Sequence, residues 1–349
     1  MRPRRAQFQG DTLMEQLYDL SLWAMLGFIL ASYSVIGNDS IQTLGTFIAA
    51  NEKINWKWKF LFGATIFSSI VIYCWYTSGG DIAYGRLGRI GYVEPEWYHV
   101  MTPAILLVLT RYGIPVSTTL LVFSVFASGI VLEKIIVKSA LGYGLAAVTA
   151  YALWIVIAKF IDEKNDRVKP NNVKYWRIAQ WVSSCYLWMA WLQHDMANIA
   201  VYLPRQLSLE LLICVVLVGV TILGVIFKSE GGRIQKIILT KTGARYLRST
   251  TIIDLIYATI LYYFKELNNL PMSTTWVFVG LLTGRELAIS TMRSDYKFKY
   301  IFPIVAKDFG KIILGLGISI CAIFLVPVSY THLRAHETSL HLVCRLLLE

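Results

Sequence analysis

Two aspartates each follow a long apolar run. Asp39 lies in Gly37-Asn38-Asp39-Ser40 with Gln42 three residues on, and Asp195 lies in Gln193-His194-Asp195-Met196-Ala197-Asn198 with Asn198 at the same spacing. A carboxylate at the centre of a membrane helix costs at least about 2.5 kcal/mol on insertion scales, so it marks a functional site by default. Residues three apart share a helix face. Asp39 with Gln42, and Asp195 with Asn198, therefore offer carboxylate and amide oxygens to a hard cation such as sodium. The structural alternative is an acid at the membrane interface that caps a helix.

Two hydroxyl clusters supply the opposite chemistry: Pro115-Val116-Ser117-Thr118-Thr119 and Pro271-Met272-Ser273-Thr274-Thr275. A proline ends or offsets one helix, and the hydroxyl residues after it can cap the next, whose first N–H groups have no internal partner. Ser117, Thr118, Thr119, Ser273, Thr274 and Thr275 would then present hydroxyls and two positive helix ends to a small oxyanion. An ordinary helix start, or hydroxyls bonded back to their own helix, is the competing reading. Acids and hydroxyls together describe an anion carried with cations. A phosphate dianion needs donors for its oxygens and positive charge to offset it, and sodium held at Asp39 and Asp195 would supply that charge.

The elements that position these residues are set by composition. The 349 residues are 56% hydrophobic and only 16% charged, with a mean hydropathy of +0.54. Apolar blocks of about 20 residues match the length a helix needs to cross a bilayer. The expected class is an all-α polytopic membrane protein, multi-pass in the inner or plasma membrane, which excludes disordered, collagen-like and small disulfide-bonded classes. The net charge of +11 is spread between the apolar blocks, so it carries orientation information and does not point to nucleic acid. Spans are expected near 14–36, 58–77, 98–112, 118–137, 140–160, 175–193, 208–227, 250–265, 272–291 and 303–326, about ten in all, with broken or re-entrant segments around 37–50 and 98–112. The start reads as a full helix, not a cleavable signal peptide.

Asp39 and Asp195 are 156 positions apart, and the same offset superposes the two hydroxyl clusters. This register implies a duplication. About five crossings per half makes the repeats inverted, an architecture in which two halves meet around a midplane site. The expected division is a first repeat over 1–161, a linker over 162–174, a second repeat over 175–326, and a non-native tail over 327–349. Basic residues such as Arg233, Lys236, Lys241, Arg245 and Arg248 place alternate loops in the cytoplasm, whereas Arg2, Arg4 and Arg5 argue the other way.

With these motifs in hand, the chain resembles the inorganic phosphate transporter family of sodium- or proton-coupled symporters over about residues 30–295. The resemblance implies phosphate as substrate, with Ser117, Thr118, Thr119, Ser273, Thr274, Thr275, Asn38 and Asn198 binding it and Asp39, Gln42, Asp195 and Asn198 binding the cation. It implies no cofactor; the partners are phosphate, sodium or protons, and membrane lipid, with a homo-oligomer as a further option. Gly79-Gly80 and Gly231-Gly232-Arg233 occupy the places of structural turns in relatives. The chain departs from the family where Leu120 and Trp276 replace a histidine after the hydroxyl clusters, where Gln193-His194 opens the second acid motif, where Gln42 stands for an asparagine, and around Ser68, where an acid is frequent. His194 either couples a proton, since it neighbours a carboxylate, or bonds backbone at a helix break.

Other readings remain open: transport of sulfate or another oxyanion, and a transport-dead sensor or scaffold. A lipid-modifying enzyme finds no P-loop or HExxH in the sequence, so the chain is expected not to be an enzyme. The tail resembles a read-through peptide and is assigned no chemistry, although it holds His332, His336, His341 and Cys344. Cys74, Cys185, Cys214 and Cys321 read as small buried residues. Arg285, Glu286 and Asp254 read as structural ion pairs, Asp254 with Arg248 or else on an ion path. Trp56, Trp58, Trp97 and Tyr98 suit interfacial belts.

Overall fold

Apolar runs of this length satisfy their backbone hydrogen bonds internally only as helices when water is absent, and every regular element among the described residues is helical. The computed structural model describes residues 20–111, 116–160, 172–229, 247–267, 271–292 and 298–325. In chain order the helices are α1 (Leu22–Thr43), α2 (Gly45–Ala50), α3 (Trp56–Thr77), a 3-10 turn (Arg86–Arg89), α4 (Trp97–Arg111), α5 (Thr118–Phe123), α6 (Gly129–Phe160), α7 (Val173–Ala200), α8 (Leu209–Lys228), α9 (Leu247–Leu267), α10 (Thr274–Met292) and α11 (Phe298–Leu325).

Among the described residues, α3, α8 and the Gly129–Val156 part of α6 are long and apolar enough to cross a bilayer by length and composition alone. Helices α1, α7 and α9 match them in length, but they carry Asn38, Asp39 and Gln42, or Gln193, His194 and Asp195, or Asp254. Large apolar side chains such as Ile29, Leu61, Tyr76, Leu141, Leu217 and Ile313 face outward. A surface that apolar suits lipid and not water.

The helix pairings exchange under the 156-residue offset. Helix α1 packs on α4 as α7 packs on α9; α1 packs on α8 as α7 packs on α3; α5 packs on α7 as α10 packs on α1. Helices α3 and α8, each other's equivalents, cross where Gly63 receives the Phe227 ring and Gly219 receives the Phe67 ring. Gly63 and Gly219 are themselves 156 apart.

Several boundaries differ from those read in the sequence. The segment 37–50 is not broken at its acid: α1 runs through Asp39 to Thr43, and helical bonding continues across Leu44, whose N–H donates to the Ser40 carbonyl at 2.7 Å. The interruption lies instead at Ser124–Ser128, after α5, and one 32-residue helix replaces the spans expected at 118–137 and 140–160. Lys138 looked like a boundary but is buried within α6, a helix of about 48 Å that exceeds the hydrocarbon thickness. Cys214 and Cys321 are exposed on the apolar surface, not buried. Tyr98, expected with the exposed aromatics, is buried; it packs against Trp97 and His99, and the His99 ring stacks on Phe126 at 4.3 Å. Pro115, the linker up to residue 171, the 231–233 turn, Arg233, Lys236, Lys241, Arg245 and the tail lie outside the described residues.

Candidate functional site

Four elements bring the duplicated motifs together. Helices α1 and α7 carry the acids through the core, and the starts of α5 and α10 meet them there. Asp39, Asp195, Thr119 and Asn198 are fully buried, and Asn38, Gln42, Ser117, Thr118, Ser273, Thr274 and Thr275 nearly so. All the sequence-derived cation and anion residues except His194 therefore converge on one centre.

The serines take the capping role. Ser117 Oγ accepts from the Leu120 N–H at 3.1 Å and Ser273 Oγ from the Trp276 N–H at 3.2 Å. The Ser273 N–H in turn donates to Ser139 Oγ at 2.8 Å. The two helix ends are unequal: α10 has 19 residues, whereas α5 has six, so a positive helix end of full length is available from α10 alone.

The threonines reach the acid motifs. Thr118 Oγ1 donates to Asp39 Oδ2 at 3.1 Å, and Asn38 Nδ2 donates to Asp39 Oδ1 at 2.7 Å. Across the molecule, Asp195 Oδ1 accepts from Thr119 Oγ1 at 3.2 Å and from Asn198 Nδ2 at 2.8 Å. Thr274 lies against Asp195 without a well-formed hydrogen bond.

The two halves interlock in the same register. Asn198 Nδ2 donates to Thr119 Oγ1 at 3.2 Å, and Gln42 Nε2 donates to Thr275 Oγ1 at 3.1 Å. Thr119 Oγ1 can donate to the Met272 carbonyl at 3.1 Å, and Thr275 Oγ1 donates to the Val116 carbonyl at 3.3 Å. Each carboxamide of one half thus binds a hydroxyl of the other, and Gln42 does the work of Asn198 despite its longer side chain. Their oxygens, Gln42 Oε1 and Asn198 Oδ1, are buried and accept no hydrogen bond, as is Asp195 Oδ2. A buried acceptor without a donor costs about 1–3 kcal/mol. Orphaned oxygens beside carboxylates are the donor set that a hard cation takes.

His194 stands apart. Its Nε2 donates to the Leu261 carbonyl at 2.7 Å while α7 remains continuous around it, so the backbone partner is present and the helix break is not. Asp254 does not pair with Arg248. It accepts from Thr46 and Ser184, and the Arg248 guanidinium sits over the Trp176 ring at 5.2 Å. Arg285 does bond Glu286, at 3.0 Å. Gly79 and Gly80, at φ 64 and 99, form a turn that only glycine adopts readily, and the Gly80 carbonyl accepts from the Leu207 N–H of the other half at 3.0 Å.

Arg86 escaped the sequence reading. It is buried in the 3-10 turn, its Nε donates to the Gln193 carbonyl, and its charge acts on Asp195. Its signal was one arginine in Gly85-Arg86-Leu87-Gly88, in a loop whose inward path has no periodicity to reveal it.

No family model and no curated protein matches this sequence. A solved structure described as the sodium-dependent phosphate transporter superposes on it with a TM-score of 0.52 at 17% identity, covering 87% of this chain and 97% of the other. This chain has that transporter's fold. It is an all-α polytopic membrane protein whose described helices lie in the arrangement of a transporter.

Proposed function

We propose that the chain is a secondary active transporter, an inorganic phosphate symporter coupled to sodium, working by alternating access between two inverted repeats over 1–161 and 175–326 joined by 162–174. The observation that carries this reading is the pair of equivalent orphaned oxygens, Gln42 Oε1 and Asn198 Oδ1, each on a carboxamide three residues after a buried aspartate on the same helix and each gripping a hydroxyl of the opposite half. The likeness in fold to a sodium-dependent phosphate transporter supports the same choice of cargo.

The chemistry follows from the threonines. A hydroxyl whose oxygen faces a cation must turn its hydrogen away from it. Sodium at Asp39 and Gln42, or at Asp195 and Asn198, draws the oxygens of Thr118, Thr119, Thr274 and Thr275 and turns their hydrogens toward an oxyanion. The amides at the start of α10 add donors, and Arg86 adds charge from behind Asp195. Cation binding thereby builds the anion site, and the bound pair is closer to neutral than phosphate alone. Sodium is preferred over protons because the orphaned acceptors of the central motifs, Gln42 Oε1, Asn198 Oδ1 and Asp195 Oδ2, are oxygens.

Purified protein in proteoliposomes is expected to accumulate radiolabelled phosphate under an inward sodium gradient, and Asp39→Asn or Asp195→Asn to reduce that uptake by at least about tenfold, equivalent to 1.4 kcal/mol, with folding intact. Uptake of sulfate in its place would change the cargo; uptake unaffected by either substitution would remove the acids from the mechanism.

A further inference from the structure

Trp191 is fully buried on α7, and its indole Nε1–H has no hydrogen-bond partner. Tryptophan is an unfavourable choice for such a position, because a buried indole N–H normally finds an acceptor. The residue stands four before Asp195 and seven before Asn198, on the helix face that carries the second acid motif. Its ring reaches across to the first half. Helix α7 packs on α1, and the indole lies against the Asp39 carboxylate without a well-formed hydrogen bond. Trp188, also fully buried, supports the ring, with the two centroids 5.2 Å apart.

The Asp39 carboxylate already has donors on both oxygens, Oδ1 from Asn38 and Oδ2 from Thr118. Thr118 is one of the hydroxyls assigned to the oxyanion, and the indole meets the same carboxyl group. A donor that lies against Asp39 beside Thr118 is therefore within reach of an anion held by Thr118. An indole has no acceptor lone pair, so it cannot ligate a cation. A sodium ion on Asp39 repels the positive end of the N–H dipole, and the acceptor that then arrives at the same place is an oxygen of the anion.

The 156-residue offset isolates this residue. Trp191 is matched by Val35, which is fully buried and offers no side-chain donor, and Trp188 by Ser32. The group added beside the second acid is of another kind, the Arg86 guanidinium, whose charge acts on Asp195. The two acids thus differ in what the rest of the chain adds to them: a neutral donor at Asp39 and a cation near Asp195. A neutral donor contributes a hydrogen bond to an anion without changing the charge that bound cations must balance.

We infer that Trp191 is a further anion-binding residue of the central site, its Nε1–H donating to an oxygen of the oxyanion once a cation has taken the Asp39 carboxylate. The inference rests on the reading of the centre as a sodium-linked oxyanion site, and it adds a donor that the repeated motifs do not contain. Packing holds the ring in place, so the donor is oriented before the anion arrives and little side-chain freedom is lost on binding.

Equilibrium binding of radiolabelled inorganic phosphate and, separately, of radioactive sodium to the full-length protein in detergent distinguishes an anion donor from a packing residue. Trp191→Phe keeps an aromatic ring and removes the N–H. It is expected to raise the phosphate Kd at saturating sodium by at least about tenfold, the loss of one hydrogen bond to a charged group, with sodium affinity in phosphate-free buffer near wild type. Trp188→Phe, which removes an indole N–H outside the site, is expected to leave phosphate affinity near wild type. Unchanged phosphate affinity in Trp191→Phe overturns the proposal, and so does equal weakening of sodium and phosphate binding, which assigns the indole to packing around Asp39. A second measurement reads the wild type itself. With isotope-labelled indole nitrogens, the resonance identified by its absence from Trp191→Phe or Trp191→Tyr should shift when phosphate is added to sodium-loaded protein, and a resonance that stays in place overturns the proposal. Wild-type protein that binds phosphate while Trp191 is indifferent to it leaves the proposed transport standing; wild-type protein that binds no phosphate at saturating sodium removes both.

Discussion

At the scale of single residues, the site is held together by hydroxyls that serve both halves. Thr119 stands on α5 of the first half and contacts Asp195 and Asn198 of the second. Its removal should therefore weaken coupling without touching a charge. Thr119→Val is expected to raise the sodium concentration for half-maximal uptake roughly tenfold, within the cost of about 1–3 kcal/mol for a lost buried partner, while Thr119→Ser keeps the value near wild type; equal effects of the two would assign the residue to packing. Much of this centre was legible in the sequence because ionisable and hydroxyl residues in an apolar chain announce themselves, and because repetition at one offset separated them from accident. Two things were hidden. The division of labour inside each hydroxyl cluster, with serine capping and threonines facing the acids, depends on side-chain direction at a helix start. Arg86 depends on how a loop without periodicity folds inward.

At the scale of helices, close packing fixes where the motifs stand. Helix α10 carries Gly280 and Gly284 one turn apart, and a side chain at either would strike the α6 backbone at Tyr143 or Ala147. Small residues at this spacing let membrane helices approach closely. Because Ser139 on α6 bonds the Ser273 amide just before α10, this contact also positions the hydroxyl cluster. Gly284→Val should cost about 1–3 kcal/mol by overpacking, visible as a lower melting temperature in detergent; Gly224→Val, which meets only the edge of Phe60 at 3.5 Å, should cost much less. Hydropathy placed most helices to within a turn or two, since lipid demands long apolar runs. It failed at Lys138 and Asp39, where a charge looked like a boundary but lies inside a helix. Neighbouring helices supply the surroundings that let the charged group stay, and those neighbours come from far along the chain.

At the scale of the whole molecule, pairings that exchange under a shift of 156 residues bring equivalent groups to one centre from opposite halves. In the proposed mechanism the two acids hold the cations and the two hydroxyl clusters hold the anion; because these groups interlock, one cargo cannot leave without disturbing the other, and the fluxes should be obligatorily linked. The most direct measurement reverses the usual driving force. Proteoliposomes with equal sodium on both sides receive an inward phosphate gradient, and entry of radioactive sodium is followed with the membrane potential clamped. Sodium should accumulate above its external concentration, and Asp39→Asn and Asp195→Asn should each abolish that accumulation. Phosphate entry with no movement of sodium would contradict coupling at this site.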